Sequence, residues 1–224
     1  MAEPRCDADR ARRLRAARPA GAAAAADFPK KRITYNICFN PGGESDITAR
    51  IQEKALKKNL GVDVSIQYKI GGGGALCWAE LVKSAPDGYT IAGHNLPHTV
   101  LQPMEMGDAG YKTLDLKQIY FFESTPNLLL VRNDSPFKTL DDFLAAAKAN
   151  PGQIKVSSTG LGGDDHLAIL NVQYKSGLRF NIIHTAGSPQ AMAAVLGGHI
   201  DVNFDNIGGF LTPVLLSTGE DNPF

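Results

Sequence analysis

No apolar run among the 224 residues approaches the roughly 18 that a membrane-spanning helix needs, so any membrane association of the body must come through a partner or an anchor. Net charge is also missing, but the zero hides an asymmetry. Residues 1–32 hold nine Lys/Arg against four acids, which is +5, and residues 33–224 hold 14 against 19, which is −5. An acidic body excludes nucleic acid as the expected partner. Paired cysteine motifs are absent too. Cys6, Cys38 and Cys77 make an odd count with no C-x-x-C, which argues against a zinc site and against a disulfide scaffold, and Cys38 and Cys77 are expected as buried small hydrophobes. There is no G-x-x-x-x-G-K-[ST], no G-x-G-x-x-G after a first strand, no G-x-S-x-G and no H-E-x-x-H. Nucleotide binding and the common hydrolase chemistries therefore have no motif to rest on, and no cofactor or metal is expected.

What is present is alternation. "ITYNICF" (33–39) is a β-branched and aromatic run, and "SDITARIQEKALKKNL" then places Ile47, Ile51, Ala55 and Leu56 at helical spacing behind a Ser45 cap. "VDVSIQY", "GGGG" (71–74) and "ALCWAELVKSA" repeat the order of strand, glycine loop and helix, and "YTIAGHN" and "NLLLVR" continue the strands. Thr139 and Asp142 in "TLDDFLAAAKANPG" form a helix-start signature, with Pro151 and Gly152 beyond its end. "IKVSS", "TGLGG" and "DDHLAILNVQYKSG" repeat the unit with Gly177 as terminator. "FNIIH", "SPQAMAAVLGG" with Ser188 as cap and Pro189 in the first turn, and "IDVNFD" close the series. Such alternation predicts an α/β protein with largely parallel sheets.

In open α/β sheets, ligands bind at the carboxyl ends of the strands. Three loops there are rich in glycine or in Ser, Asp and Pro, and each leads into a helix N-terminus, whose unpaired N–H groups and partial positive charge suit a carboxylate or phosphate. Each loop alone is equally an ordinary capped turn. His94 and His98, four apart but interrupted by Pro97, are expected to be locally hydrogen-bonded loop histidines, and Asp164 in "DDH" (164–166) is expected to be a helix cap.

"FNPGGESDITAR", "GGGGA", "APDGYTI", "TPNLLLVRNDSPFKTLDDFLAAAKANPG", "STGLGGDDHLA" and "GSPQAMAAVLGGHIDVNFDN" resemble, in that order, the solute-binding receptors of tripartite tricarboxylate transporters, the Bug family, over about residues 33–210. The resemblance implies a periplasmic-binding-protein fold of the second type, with two α/β lobes joined by crossover strands and a cleft that closes on an organic carboxylate. The implied division is an N-terminal extension (1–32), a first lobe (33–126), and a crossover with the second lobe (127–224). The family's first loop falls on Pro41, Gly42, Gly43 and Asp46, with Phe39 before it. Its second loop falls on Ser158, Thr159, Gly160, Gly162, Gly163 and His166, and its third on Thr185, Ala186, Gly187 and Ser188. Asp205 matches the family's FDN aspartate, and Asn127 follows the crossover proline.

The resemblance also implies a non-enzymatic, monomeric, extracytoplasmic receptor that takes a small organic carboxylate or amino acid and delivers it to membrane permease subunits. A partner of a signalling ectodomain and an enzyme on the same scaffold stand as alternatives. Three features depart from the family. Glu44, Asp164 and Asp165 stand where small or hydroxyl residues are usual, and they are either helix caps or selectors for a ligand that also carries an amine. Thr185 and Ala186 replace an aromatic or basic pair. The chain ends at "STGEDNPF", before the return that completes the first lobe in the family, which predicts exposed apolar surface and marginal stability. The Arg-rich stretch before Ala20–Ala26 resembles an export signal imperfectly, because Gly21 interrupts a weakly apolar run; a disordered extension or a misassigned start is the other reading.

Overall fold

The computed structural model describes residues 28–210, so the signal-like stretch and the ending lie outside the described residues. Two sheets follow one another along the chain. The first has strand order β2-β1-β3, from β1 (Ile33–Ile37), β2 (Val64–Tyr68) and β3 (Thr90–Ala92), all parallel, with Ile33 opposite Val64 and Thr34 opposite Thr90. The second has order β4-β7-β5-β6, from β4 (Asn127–Leu130), β5 (Lys155–Ser158), β6 (Asn181–His184) and β7 (Val202–Asn206). Within it β5 is parallel to β6 and β7, while β4 runs antiparallel to β7 with Asn127 opposite Asn206. Parallel strands need crossovers, and helices α1 (Glu44–Leu60), α2 (Ala75–Lys83), α3 (His98–Glu105), α4 (Leu140–Ala149), α5 (Asp164–Ser176) and α6 (Ser188–Leu196) lie between them in sequence. This is the two-lobed α/β fold of periplasmic binding proteins.

Each lobe has its own core. In the first, Ile33, Tyr35 and Ile37 of β1 pack with Ala49 and Val64, and a second cluster joins Cys38, Phe39, Cys77, Trp78, Tyr111 and Leu116. In the second, Phe143, Ala147, Ile154, Val156, Ile169, Phe180, Val202 and Phe204 form one cluster, with Phe143 stacked on Phe180 at 5.1 Å.

Four expectations are corrected here. Cys38 and Cys77 are buried as expected but are bonded to each other, 39 residues apart in sequence and 5.2 Å apart at Cα. The end of β1 and the first turn of α2 meet in one core, a proximity that an odd cysteine count does not reveal. The inward stripe of α1 runs through Ala49, Leu56 and Leu60, and Ile51 is 67% exposed. Ser45, Asp164 and Ser188 are not caps: Gly43, Gly163 and Gly187 take those positions, and the three polar residues lie one or two positions inside the helices. His98 is also no locally hydrogen-bonded loop histidine, being 2% exposed at the start of α3 with no side-chain hydrogen bond, whereas His94 Nε2 does meet the Thr99 hydroxyl at 2.7 Å. By contrast, Thr139 and Asp142 form a complete capping box on α4, and Gly61 and Gly177 end α1 and α5 in the left-handed conformation. Ile119, Tyr120, Phe121 and Phe122, in the segment that leads to β4, are all exposed.

Candidate cleft between the lobes

The glycine caps have a chemical consequence. α1, α5 and α6 begin at Gly43, Gly163 and Gly187, none with a side-chain cap, whereas α4 carries a full capping box. A side-chain cap would occupy the first N–H groups of the helix, so at α1 and α6 a bare glycine leaves them to another acceptor and lets it approach the backbone closely, whereas at α5 the His166 N–H is already taken by Asp165. These N-termini converge. One cavity is lined by Phe39, Gly43, Glu44 and Ser45 from the first lobe and by Thr159, Asp164, Gly187, Ser188 and Asn206 from the second, with Asn95 and His98 at its side. Its volume open to a water-sized molecule is about 20 Å³.

The lobes touch around this cavity. A Cβ on Gly160 would lie 2.8 Å from the Cα of Gly73, and one on Gly43 would lie 3.4 Å from Pro189. Gly160 has φ +131, so the position excludes side chains on two counts. Gln102, fully buried, donates its amide nitrogen to the carbonyls of Gly72 (3.2 Å) and Gly73 (2.9 Å) in the first lobe and of Leu161 (3.0 Å) in the second, while its Oε1 accepts from the Tyr111 hydroxyl at 3.2 Å. This latch was not legible in the sequence. A glutamine with no motif around it gives no signal, and only the approach of the 71–74 and 160–163 loops makes its side chain a bridge.

Acids dominate the electrostatics. Burial pushes Glu44 up to about 7, with Glu123 and Asp164 adding to the effect and Thr125 opposing it. Burial also raises Asp164, which Asn127 and the backbone partly offset. Asp165 is pushed up to about 7 by burial and then by Asp164, although it accepts the backbone N–H groups of Thr159 and His166. Burial takes Asp205 up to about 8, against the Ser188 hydroxyl. His98 is driven down to about 4 by burial and by His166, with the Thr159 backbone opposing, so its ring is neutral at ordinary pH. That ring packs against Phe39 at 5.4 Å and Trp78 at 6.1 Å, and neither nitrogen has a hydrogen-bond partner in ordinary geometry.

The residues named from the sequence divide into three groups. Phe39, Gly43, Thr159, Gly187 and Ser188 line the cavity. Gly42, Asn127, Gly160, Gly162, Gly163 and Asp205 support its walls: Gly42 faces Pro189, Asn127 lies beside Asp164 and partly offsets its raised pKa, Gly162 sits against Leu101 and Gln102, Gly163 sits against His98, and Asp205 lies beneath Ser188. Pro41, Asp46, Ser158 and His166 do not line it. Pro41 is exposed in the turn before Gly42. Asp46 accepts from the Gly42 N–H (2.8 Å), the Tyr68 hydroxyl (2.8 Å) and Arg50 (3.2 Å); burial raises its pKa, but these bonds outweigh that and hold it below the usual range. Ser158 hydrogen-bonds its own loop and His184, and His166 Nδ1 accepts the Gly162 N–H at 3.2 Å. Ser45, Asn95, His98 and Asn206 line the cavity without having been singled out for ligand binding, and Glu44 and Asp164, read from the sequence as helix caps or as selectors for an amine, line it too.

A bilobal α/β receptor fold with a cleft of helix N-termini defines the class, and comparison with known proteins supplies the family. Residues 48–214 match the model described as the tripartite tricarboxylate transporter family receptor, and the chain belongs to that family. It is 35% identical over 178 residues to a UPF0065 protein from the gbd 5' region of Cupriavidus necator, covering 77% of this chain and 53% of that protein. It is 30% identical over 190 residues to BugT of Bordetella pertussis, covering 82% and 57%. The chain thus spans about half the length of these curated relatives. Among solved structures, a periplasmic transporter superposes with TM-score 0.78 at 29% identity, covering 84% of this chain and 64% of that one. MatC of Rhodopseudomonas palustris with bound malate superposes with TM-score 0.76 at 25% identity, covering 84% and 65%.

Proposed function

We propose that this chain is a non-enzymatic extracytoplasmic solute receptor, or the greater part of one, that closes residues 33–126 and residues 127–224 as two lobes around a small organic carboxylate and delivers it to the permease of a tripartite transporter. The observation that carries this reading is the convergence of three helix N-termini, each capped by a bare glycine, on one cavity at the meeting of the lobes. Backbone amides and helix dipoles hold a carboxylate without lysine or arginine, and lobe closure removes it from water. Phe39, Gly43, Ser45, Thr159, Gly187 and Ser188 are the proposed contacts. The malate in MatC supports a carboxylate as the ligand class. The Cys38–Cys77 bond supports an oxidising compartment such as the periplasm.

Gly43→Val tests the site. The new side chain would meet Pro189 and the Asn40 carbonyl and would bury the α1 amides. In thermal-shift titrations with mono-, di- and tricarboxylates, the wild-type chain gains about 2.7 kcal/mol with a true ligand at 100 times its Kd, and the variant gains nothing at the same concentration. A variant that bound with unchanged affinity would remove the first loop from the site.

A further inference from the structure

The seam beside the cavity is arranged so that it can part and re-form. Gln102, on α3 of the first lobe, is fully buried, and its two amide hydrogens serve three carbonyls: those of Gly72 and Gly73 in its own lobe and that of Leu161 in the other. Its Oε1 accepts from the Tyr111 hydroxyl, again in its own lobe. Separating the lobes therefore breaks one of these bonds, the one to Leu161, and leaves the side chain anchored where it can remake it.

The surfaces that meet around Gln102 are main chain. A Cβ on Gly73 would lie 3.0 Å from the Gln102 amide nitrogen and 3.2 Å from the Cα of Gly160, and one on Gly162 would lie 3.2 Å from the Cβ of Leu101. Loops 71–74 and 160–163 thus close backbone against backbone, and Gln102 is the side chain that spans them. The space they help enclose is small. With about 20 Å³ open to a water-sized molecule, the cavity has roughly the allowance of one water, far below that of a dicarboxylate. A solute enters only after the lobes part.

From this geometry, and resting on the receptor reading above for the motion of the lobes, we propose that Gln102 is a positioning residue for lobe closure: its bond to the Leu161 carbonyl holds the ligand-free receptor shut, and breaking that bond is the step that admits a solute. Gln102 does not line the cavity. It acts through the balance of open and closed forms, and because the same bond closes the empty and the loaded receptor, it governs how fast a solute enters and leaves more than how tightly it is held.

The test follows hydrogen exchange in the full chain without ligand, where a segment freed by opening exchanges in proportion to the open fraction. Gln102→Met keeps the bulk of the side chain and removes the donor. Peptides covering 71–76 and 159–163 should then exchange about fivefold faster, the effect of losing one ordinary hydrogen bond, while β1 and β5 keep their wild-type rates. Gly73→Ala, whose methyl group would meet the other lobe, should do the same. Gly72→Ala should not, because it carries the same left-handed strain (φ +58 against +60) but faces Ala75 of its own lobe. Tyr111→Phe, which frees Oε1 and leaves the Leu161 bond, should also match the wild type at both loops. Faster exchange in Gln102→Met confined to 71–76 would overturn the inference, because Gln102 would then brace only its own lobe. An equal rise in β1 and β5, the mark of a residue that merely holds the fold together, would overturn it too, as would unchanged exchange at both loops. A carboxylate panel on which nothing bound would count against the receptor reading alone, since no ligand enters these measurements.

Discussion

The two lobes hold their sides of the cleft by different means. The first lobe's edge is covalent and aromatic: Cys38 is bonded to Cys77, and the next residue, Trp78, fully buried, donates its indole N–H to the Gly93 carbonyl at 2.8 Å and packs on Phe39 and Tyr111. The second lobe's edge is polar. Ser157 hydrogen-bonds Asn203 in the middle of the sheet, and Asp165 organises the loop at Thr159 through backbone N–H groups, while Asp205 sits buried beneath Ser188. The first wall should therefore respond to reductant, while the response to protons comes from buried groups on both sides, with Asp165 and Asp205 in the second lobe and Glu44 and His98 in the first.

Removing the disulfide should have the larger effect. Replacing both Cys38 and Cys77 by alanine opens a 39-residue loop, which costs about 4 kcal/mol by the loop-entropy relation. The melting transition followed by Trp78 emission should fall accordingly, with the pH profile of stability unchanged. If that profile changed shape, the disulfide and the proton-binding groups would not be separate devices.

The proton effect comes next, and its sign follows from the direction of each shift. Asp205 rises from an ordinary 3.8 to about 8 in the fold, so its contribution is complete below pH 3.8 and is lost as pH rises through about 8. Glu44 and Asp165, raised to about 7, act in the same sense. His98, lowered from 6.5 to about 4, acts in the opposite sense, withdrawing stability as pH falls through that interval. Above pH 6.5 only the acids remain, so the ligand-free chain should lose stability from pH 6.5 to 8. Asp205→Asn should remove about 1.5 kcal/mol of that loss, at 1.36 kcal/mol per proton per pH unit. Denaturant melts at the two pH values check it, and a variant with the wild-type slope would mean that Asp205 does not titrate there.

The smallest effect lies away from the cleft. Thr139→Ala removes the capping box of α4 and should cost about 1 kcal/mol in the same melts without changing ligand affinity. A change in affinity would mean that the capped helix also serves the site, and the contrast with the glycine-capped helices would lose its meaning.

The alternation of strands and helices was legible because hydrophobic period and glycine punctuation act locally. The glycine-rich loops identified three of the cavity's walls for the same reason. Helix starts were misread at Ser45, Asp164 and Ser188 because a glycine without a side chain is a silent cap, and the polar residues after it look like the cap itself. The Cys38–Cys77 bond, the Gln102 latch and the position of His98 depend on segments 29 to 59 residues apart coming together, and no local signal carries that. Glu44 stood out in the sequence, but that its carboxyl sits in the space left by Gly208 at the wall of the cavity depends on a contact 164 residues away along the chain, which no local signal carries.

The central claim is that the cavity between the lobes closes on a small carboxylate-bearing solute. Trp78 is the chain's only tryptophan, and its ring lies 6.2 Å from Phe39 and 6.1 Å from His98, both of which line that cavity, so its emission reports on the site without a label. Titrating the full chain with a panel of carboxylates and amino acids should give a saturable change in Trp78 emission with at least one compound, and Gly43→Val should abolish it. A folded chain whose emission and melting temperature stayed fixed across the panel would contradict the account.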